Sequence, residues 1–329
     1  MTETFRPAWW LPDPHTQTLW PRFFRTRPRL NTVTERWETP DGDEIDVIRL
    51  GAAPGSPRLI LVHGLEGSVR SHYVGGLLHA ASRRSWGGDL LIFRTCNGEV
   101  NLARRSYHSG ETEDLDLVVR RVAAEYPRAP LGLVGVSLGG NVVLKWLGER
   151  AGYLPAQVAA AVAISTPFDL ARSARRIGQG FSRVYERHFL RSLRAKALAK
   201  IERFPDLARR EAVLAARTIW EFDDAYTAAV HGFRDAADYY AQSSSIRFLD
   251  RIRVPTLLLS ARDDPFHPPE VLSDVERIAR SNPHLVTDFP ARGGHVGFVE
   301  GAGPWRTRSY AESRAVSFLA QKLQVRPGA

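Results

Sequence analysis

The chain of 329 residues holds one cysteine, one methionine and four lysines (Lys145, Lys196, Lys200 and Lys322). A single cysteine, Cys96, excludes an intrachain disulfide and points to a reducing compartment. No run approaches the ~18–20 apolar residues that cross a bilayer. The opening MTETFRPAWWLPDPHTQTLW lacks the charged start and continuous apolar stretch of a signal peptide, so the expected location is the cytoplasm. HExxH and CxxC are absent, and no other His/Asp/Glu spacing predicts a metal site. Neither GxGxxG nor GxxxxGK[ST] occurs, which removes dinucleotide and P-loop chemistry. The formal charge of +9 raises the question of nucleic acid, yet almost all basic residues are arginine and no helix-turn-helix, RNA-recognition or zinc module is present. Nucleic acid is therefore not an expected partner, and no cofactor is expected.

What the chain does have is LGLVGVSLGGNVVLKWL at 131–147. An apolar run, Leu131 to Val136, is short enough for one buried parallel strand. A glycine-bounded turn follows, then a helix carrying Val142, Val143, Trp146 and Leu147 inward. Strand, G-x-S-x-G, helix is the setting of a nucleophile elbow, in which Ser137 stands exposed above the strand ends. Gly135 and Gly139 occupy positions where a Cβ would clash. The N–H of Leu138 and the helix start both favour negative charge on a bound carbonyl oxygen.

Around this stretch the pattern alternates. Val33–Thr39 and Glu44–Leu50, joined by Pro-Asp-Gly-Asp, predict an antiparallel hairpin. Strands are expected at Leu59–Val62, Leu90–Phe93, Val158–Ile164, Thr256–Ser260 and Leu285–Phe289. Helices are expected at His72–Arg83, Glu111–Tyr126, Pro269–Arg280 and Ser309–Leu323. This rhythm predicts an α/β fold: a mostly parallel twisted sheet with an N-terminal antiparallel hairpin and helices on both faces. Residues 171–248 break it, being helical, arginine-rich and aromatic, and read as a lid inserted over the sheet edge. The expected divisions are an aromatic and basic segment packed on the core (1–32), a first core part (33–170), the lid (171–248) and a second core part (249–329). Trp9, Trp10, Trp20, Phe23 and Phe24 lie among arginines in the first segment. Its prolines interrupt any long amphipathic helix, so packing on the globule is favoured over weak peripheral membrane contact.

A serine hydroxyl is a weak nucleophile and needs a base, which needs an orienting carboxylate. After the strand TLLLS comes Ala-Arg-Asp-Asp-Pro-Phe at 261–266; after LVTDF comes Gly-Gly-His-Val-Gly-Phe at 293–298. Acid and histidine thus follow the elbow in the order Ser, Asp, His. Ser137 is assigned as nucleophile, His295 as base and Asp264 as the acid, with Asp263 as its rival. Asp264 is preferred because the acid usually stands fourth in a Gly/Ala-x-x-Asp turn, here Ala261 to Asp264. The second oxyanion donor should come from the HGLEGS loop after Leu59–Val62, as the backbone N–H of Leu65. His63 there is read as structural, His267 as a loop residue and Cys96 as a buried or loop thiol. His15, His72 and His108 have no partner readable from sequence.

PHTQTLWPR at 14–22, HGLEGSVRSHYV at 63–74, FRTCNGEVN at 93–101 and RSYHSGETEDL at 105–115 carry a resemblance that continues downstream. GVSLGGNVVLKWLGE at 135–149, EFDDAYTAAVHGF at 221–233, YYAQSS at 239–244, ARDDPF at 261–266 and GGHVGF at 293–298 complete it. Together they resemble the α/β-hydrolases of the YheT type, related to yeast medium-chain ethyl ester synthases/esterases and animal ABHD-type lipases. The resemblance implies the α/β-hydrolase fold and a carboxylic ester hydrolase acting on small-molecule acyl esters through Ser137, Asp264 and His295. The pattern near residue 95 departs from the family's common form, reading Arg-Thr-Cys-Asn-Gly, and could reshape a pocket wall. The animal relatives carry a membrane span not found in this sequence. Acyl transfer to an alcohol would use the same residues, and a catalytically silent binding protein on this fold would normally have lost one of them. The aromatic lid predicts an apolar acyl pocket preferring medium chains to acetyl.

Overall fold

The computed structural model describes residues 4–323; the outermost parts of the first and last expected segments, 1–3 and 324–329, lie outside the described residues. Eight strands form one sheet: β1 (Thr32–Glu38), β2 (Glu44–Leu50), β3 (Arg58–Val62), β4 (Gly87–Ile92), β5 (Leu131–Val136), β6 (Val158–Ile164), β7 (Thr256–Leu259) and β8 (Leu285–Asp288). Their order is β1-β2-β4-β3-β5-β6-β7-β8. β3 to β8 run parallel, whereas β2 is antiparallel to both β1 and β4. Gly42 (φ +73°) closes the hairpin, with the Thr39 N–H donating to the Asp43 carbonyl at 2.8 Å.

The central strands are continuous apolar runs because both of their faces are covered. Alternate residues feed two cores: Ile60 and Leu133 face one, Leu61 and Val134 the other. α3 (Glu113–Glu125), α4 (Leu138–Glu149) and α11 (Pro269–Ser281) cover the first face; α2 (His72–Ser82) and α12 (Tyr310–Lys322) cover the second. Charges buried beside the sheet are paired. Arg94 holds Asp41 and Asp43 of the hairpin turn (each 2.8 Å) and Asp114 of α3 (2.7 Å). The Arg94 of the divergent Arg-Thr-Cys stretch is thus a structural clamp.

Between β6 and β7 the regular elements are all helices, joined by short loops. α5 (Leu170–Ile177), α6 (Arg183–Arg203), α7 (Arg210–Ala215), α8 (Ile219–Phe222), α9 (Ala228–His231) and α10 (Ala236–Ser243) lie here, with one π-helical turn at Asp223–Thr227. α6, α7 and α8 share a small core of their own built on Leu190, Ile201, Val213 and Phe222.

The N-terminal segment forms a helix, α1 (Pro14–Phe24), that the sequence did not single out. Pro14 stands in its first turn, where a missing N–H costs nothing. Asp13 and Thr16 close a capping box. Pro21 withdraws the N–H that would bond the Gln17 carbonyl, and Gly297 packs against that same carbonyl. Phe5 lies against the Phe298 and Tyr310 rings, at centroid distances of 5.7 and 5.2 Å. Phe23 and Phe24 remain exposed.

Candidate active site

Ser137 stands between β5 and α4 with φ 55° and ψ −122°, a positive-φ conformation that costs a non-glycine residue free energy. Close packing imposes it. A Cβ on Gly135 would collide with the Gly139 carbonyl, and one on Gly139 with the Val62 and His63 carbonyls. The Ser137 N–H is tied to the Ile164 carbonyl of β6 at 2.8 Å.

The three expected side chains meet. His295 Nε2 lies 2.9 Å from Ser137 Oγ, and its Nδ1 lies 2.8 Å from Asp264 Oδ2. Asp264 can only accept, so Nδ1 carries the hydrogen and Nε2 is free to take the serine proton. Asp264 Oδ1 accepts from the Phe266 N–H at 2.8 Å. Burial alone would raise the Asp264 pKa. The fields of His295 and His267 and their hydrogen bonding outweigh it and hold the carboxyl well below its ordinary range. His267, a loop residue as expected, is almost wholly buried, its Nε2 3.3 Å from Asp264 Oδ2. The rival acid serves the loop instead. Asp263 Oδ1 accepts from the Gly294 N–H at 2.9 Å, holding the segment that carries the histidine. Burial raises the pKa of Asp263. Phe266 stacks on the His295 ring at 3.9 Å and 14°.

The two expected oxyanion donors, Leu65 and Leu138, lie in the loop after β3 and at the start of α4, and both line one small cavity. Gly64 packs on Ser137, where an added Cβ would come 3.1 Å from the serine Cβ. In this loop the Gly64 N–H is taken by the Tyr73 hydroxyl (2.8 Å) and the Glu66 N–H by the Tyr107 hydroxyl (3.2 Å). The Leu65 N–H between them has no acceptor among the described residues, nor has that of Leu138, a first-turn donor. His63 shapes the loop from beneath. Its Nδ1–H donates to the Gly64 carbonyl at 2.7 Å and its Nε2 accepts from the Phe93 N–H at 3.2 Å. Burial pushes its pKa down to about 4, so it serves as a neutral strut.

Sequence reasoning missed the groups that fix the histidine loop. Thr18 Oγ accepts from the His295 N–H at 2.8 Å while donating to the Pro14 carbonyl at 2.6 Å. Gln17 brackets Val299 like a strand partner, accepting from its N–H (2.8 Å) and donating to its carbonyl (3.2 Å). Ser165 Oγ accepts from the Val296 N–H at 3.0 Å, and His72 Nε2 lies 3.2 Å from the Val296 carbonyl. The signal in the sequence was the PHTQT stretch itself, whose Gln17 side chain has no local partner among the described residues and instead reaches Val299. His15 meets the Tyr185 hydroxyl at 3.1 Å, and His108 lies against the His231 ring. Thr18→Val is expected to lower kcat ~10- to 100-fold with little change in KM, because a displaced imidazole loses alignment more than binding. Thr18→Ser should restore most of it; steady-state kinetics of both variants on one ester is the check.

Cys96 is half-buried and 3.4 Å from the Lys196 ammonium. Burial pushes its thiol up to about 11, which leaves it protonated and a poor nucleophile. Ser137 and His295 open into a cleft of about 720 Å³, lined also by Phe266, Tyr185, Phe189 and Arg22.

The chain has known relatives. The alpha/beta hydrolase fold family matches residues 57–302. YheT of Escherichia coli (strain K12), which carries an esterase designation, is 40% identical over 320 residues, covering 95% of this chain and 92% of that protein. The phospholipase ABHD3 of Mus musculus is 30% identical over 313 residues, 92% of this chain and 75% of that one. Among solved structures, the Pyrococcus furiosus esterase Pf2001 superimposes with a TM-score of 0.57 over 89% of this chain and 94% of its own, at 17% identity, a likeness of fold. The chain belongs to the α/β-hydrolase family, among its YheT-type esterases and lipases.

Proposed function

We propose that the protein hydrolyses carboxylic esters of small molecules by a double displacement on Ser137. The observation that carries this is the continuous chain Ser137 Oγ–His295–Asp264, at 2.9 and 2.8 Å, with the Leu65 and Leu138 N–H groups unpaired among the described residues. His295 Nε2 takes the hydroxyl proton as Oγ bonds to the ester carbon. The carbonyl oxygen becomes an oxyanion held by the Leu65 and Leu138 N–H groups. The C–O bond to the alcohol then breaks, and the imidazolium gives its proton to the departing oxygen. Water, deprotonated by His295, adds to the acyl-enzyme and releases the acid and the serine. This route needs no cofactor. An alcohol in place of water would yield an ester instead; the product ratio in added ethanol measures that competition.

The segment 171–248 acts as the lid over the two core parts, 33–170 and 249–329, and 1–32 as the brace of the histidine loop. Glu66, next to Leu65, accepts from Lys196 of α6 at 2.8 Å and from Ser192, so the lid is latched onto the oxyanion loop. A lone cysteine and an absence, among the described residues, of any helix long and apolar enough to cross a membrane fit a cytoplasmic enzyme. Incubation with a fluorophosphonate and peptide mapping tests the reading. One adduct on Ser137 is expected; an unlabelled serine in folded protein rejects it.

A further inference from the structure

Two cavities share Leu65 as a lining residue, and the adjacent Ser137 and Leu138 line one each. Ser137 and His295 line the large open cleft of about 720 Å³. Leu138 lines the other, a buried space of about 80 Å³ beneath the lid, walled by Leu193 of α6, Phe222 and Tyr226. The chemistry assigns each half of an ester to one of them. The leaving oxygen must receive its proton from His295, so the alcohol lies on the imidazole side, in the large cleft. The acyl chain leaves the carbonyl carbon on the opposite side, past Leu138 and Leu65, into the small cavity. Resting on the hydrolase reading above, we propose that the enzyme selects esters of short acyl groups, acetyl to butyryl, joined to large alcohols.

The size argument is direct. A cavity of ~150 Å³ holds benzene, so one of about 80 Å³ takes roughly three carbons beyond the carbonyl. The far end is shut by His108 and His231, whose rings lie 4.4 Å apart, centroid to centroid. Both rings also line a polar cleft beyond, of about 1160 Å³, beside Arg105 and Lys145. A longer chain would have to part this ring pair and enter charged surroundings. Phe222 is anchored in the lid's own core and Tyr226 Oη is bonded to Ser106 Oγ at 3.1 Å, so the walls are held. The lid's aromatic composition pointed to medium chains; the aromatic side chains are spent filling the space such chains would need.

The test is a p-nitrophenyl ester series from acetate to octanoate on the full chain, with wild type, His231→Ala and Leu193→Ala. Butyrate should exceed octanoate in kcat/KM by about tenfold or more in wild type, since single methylenes misfit to a pocket cost ~10–200-fold. Either variant should raise the octanoate-to-butyrate ratio about tenfold, His231→Ala by opening the far end and Leu193→Ala by widening the wall. Octanoate preferred by wild type, or a ratio unmoved in the variants that fold, overturns the inference while esters are still turned over. No turnover of any ester and no phosphonate adduct would instead overturn the hydrolase reading, and this with it.

Discussion

Ser137→Ala is expected to lower kcat for p-nitrophenyl butyrate about 10⁶-fold, the scale on which removal of a triad nucleophile acts. It should abolish phosphonate labelling and leave the melting temperature nearly unchanged. The side chain is half-buried, and among the described residues its one hydrogen bond is to His295. The backbone at φ 55° is imposed by Gly135, Gly139 and the Ile164 carbonyl rather than by the hydroxyl, so alanine inherits the same turn. On the proposed mechanism, the Leu65 and Leu138 donors would still act on a water attack, leaving a residual of order 10³-fold over solution. Turnover within tenfold of wild type would mean that another group attacks the ester. Cys96, with its thiol pushed up to about 11, offers no such substitute.

The sheet was readable because β5, β6 and all of β3 after Arg58 are unbroken apolar runs, the form a strand takes when covered on both faces. β4 shows the limit. Its apolar part, Leu90 to Ile92, was plain, yet the strand begins at Gly87, inside Trp-Gly-Gly-Asp, which reads as a turn. At Gly88 a Cβ would come 2.7 Å from Leu78 Cδ2, so the small residue leaves room for that helix side chain. Asp89 is tolerated because Arg49 and Arg58 pair with it at 2.9 and 2.8 Å. Both reasons come from residues distant in sequence. The same holds at the site. Ser137, Asp264 and His295 each follow a recognisable strand, so their convergence was legible. Thr18 and Gln17 act across more than 270 residues, on backbone groups that no local pattern marks. The short ribbon of Val299–Glu300 with Arg308–Ser309 also escaped notice, being two residues long on each side.

Asp264→Asn separates the two candidate acids. It is expected to cut kcat about 10⁴-fold, against less than about tenfold for Asp263→Asn. In the first variant the amide oxygen keeps the Phe266 N–H, the contact now made by Oδ1. The amide NH₂ then occupies the place of Oδ2 and points a donor at His295 Nδ1, 2.8 Å away. Nδ1 is forced to accept, the ring hydrogen moves to Nε2, and Nε2 can no longer take the serine proton. The carboxylate it replaces is held well below its ordinary pKa by its histidine neighbours despite burial. Wild-type Asp264 is therefore ionised at any pH where the enzyme works, and the acid limb of the rate profile does not come from it. At 263 the logic reverses. Asparagine still accepts the Gly294 N–H through its oxygen, so the histidine loop keeps its place. Burial already opposes the charge on Asp263, and neutralising it removes a cost. Parallel kcat measurements on the two variants decide the matter: equal losses, or a larger loss at 263, would transfer the orienting role from Asp264 to its neighbour.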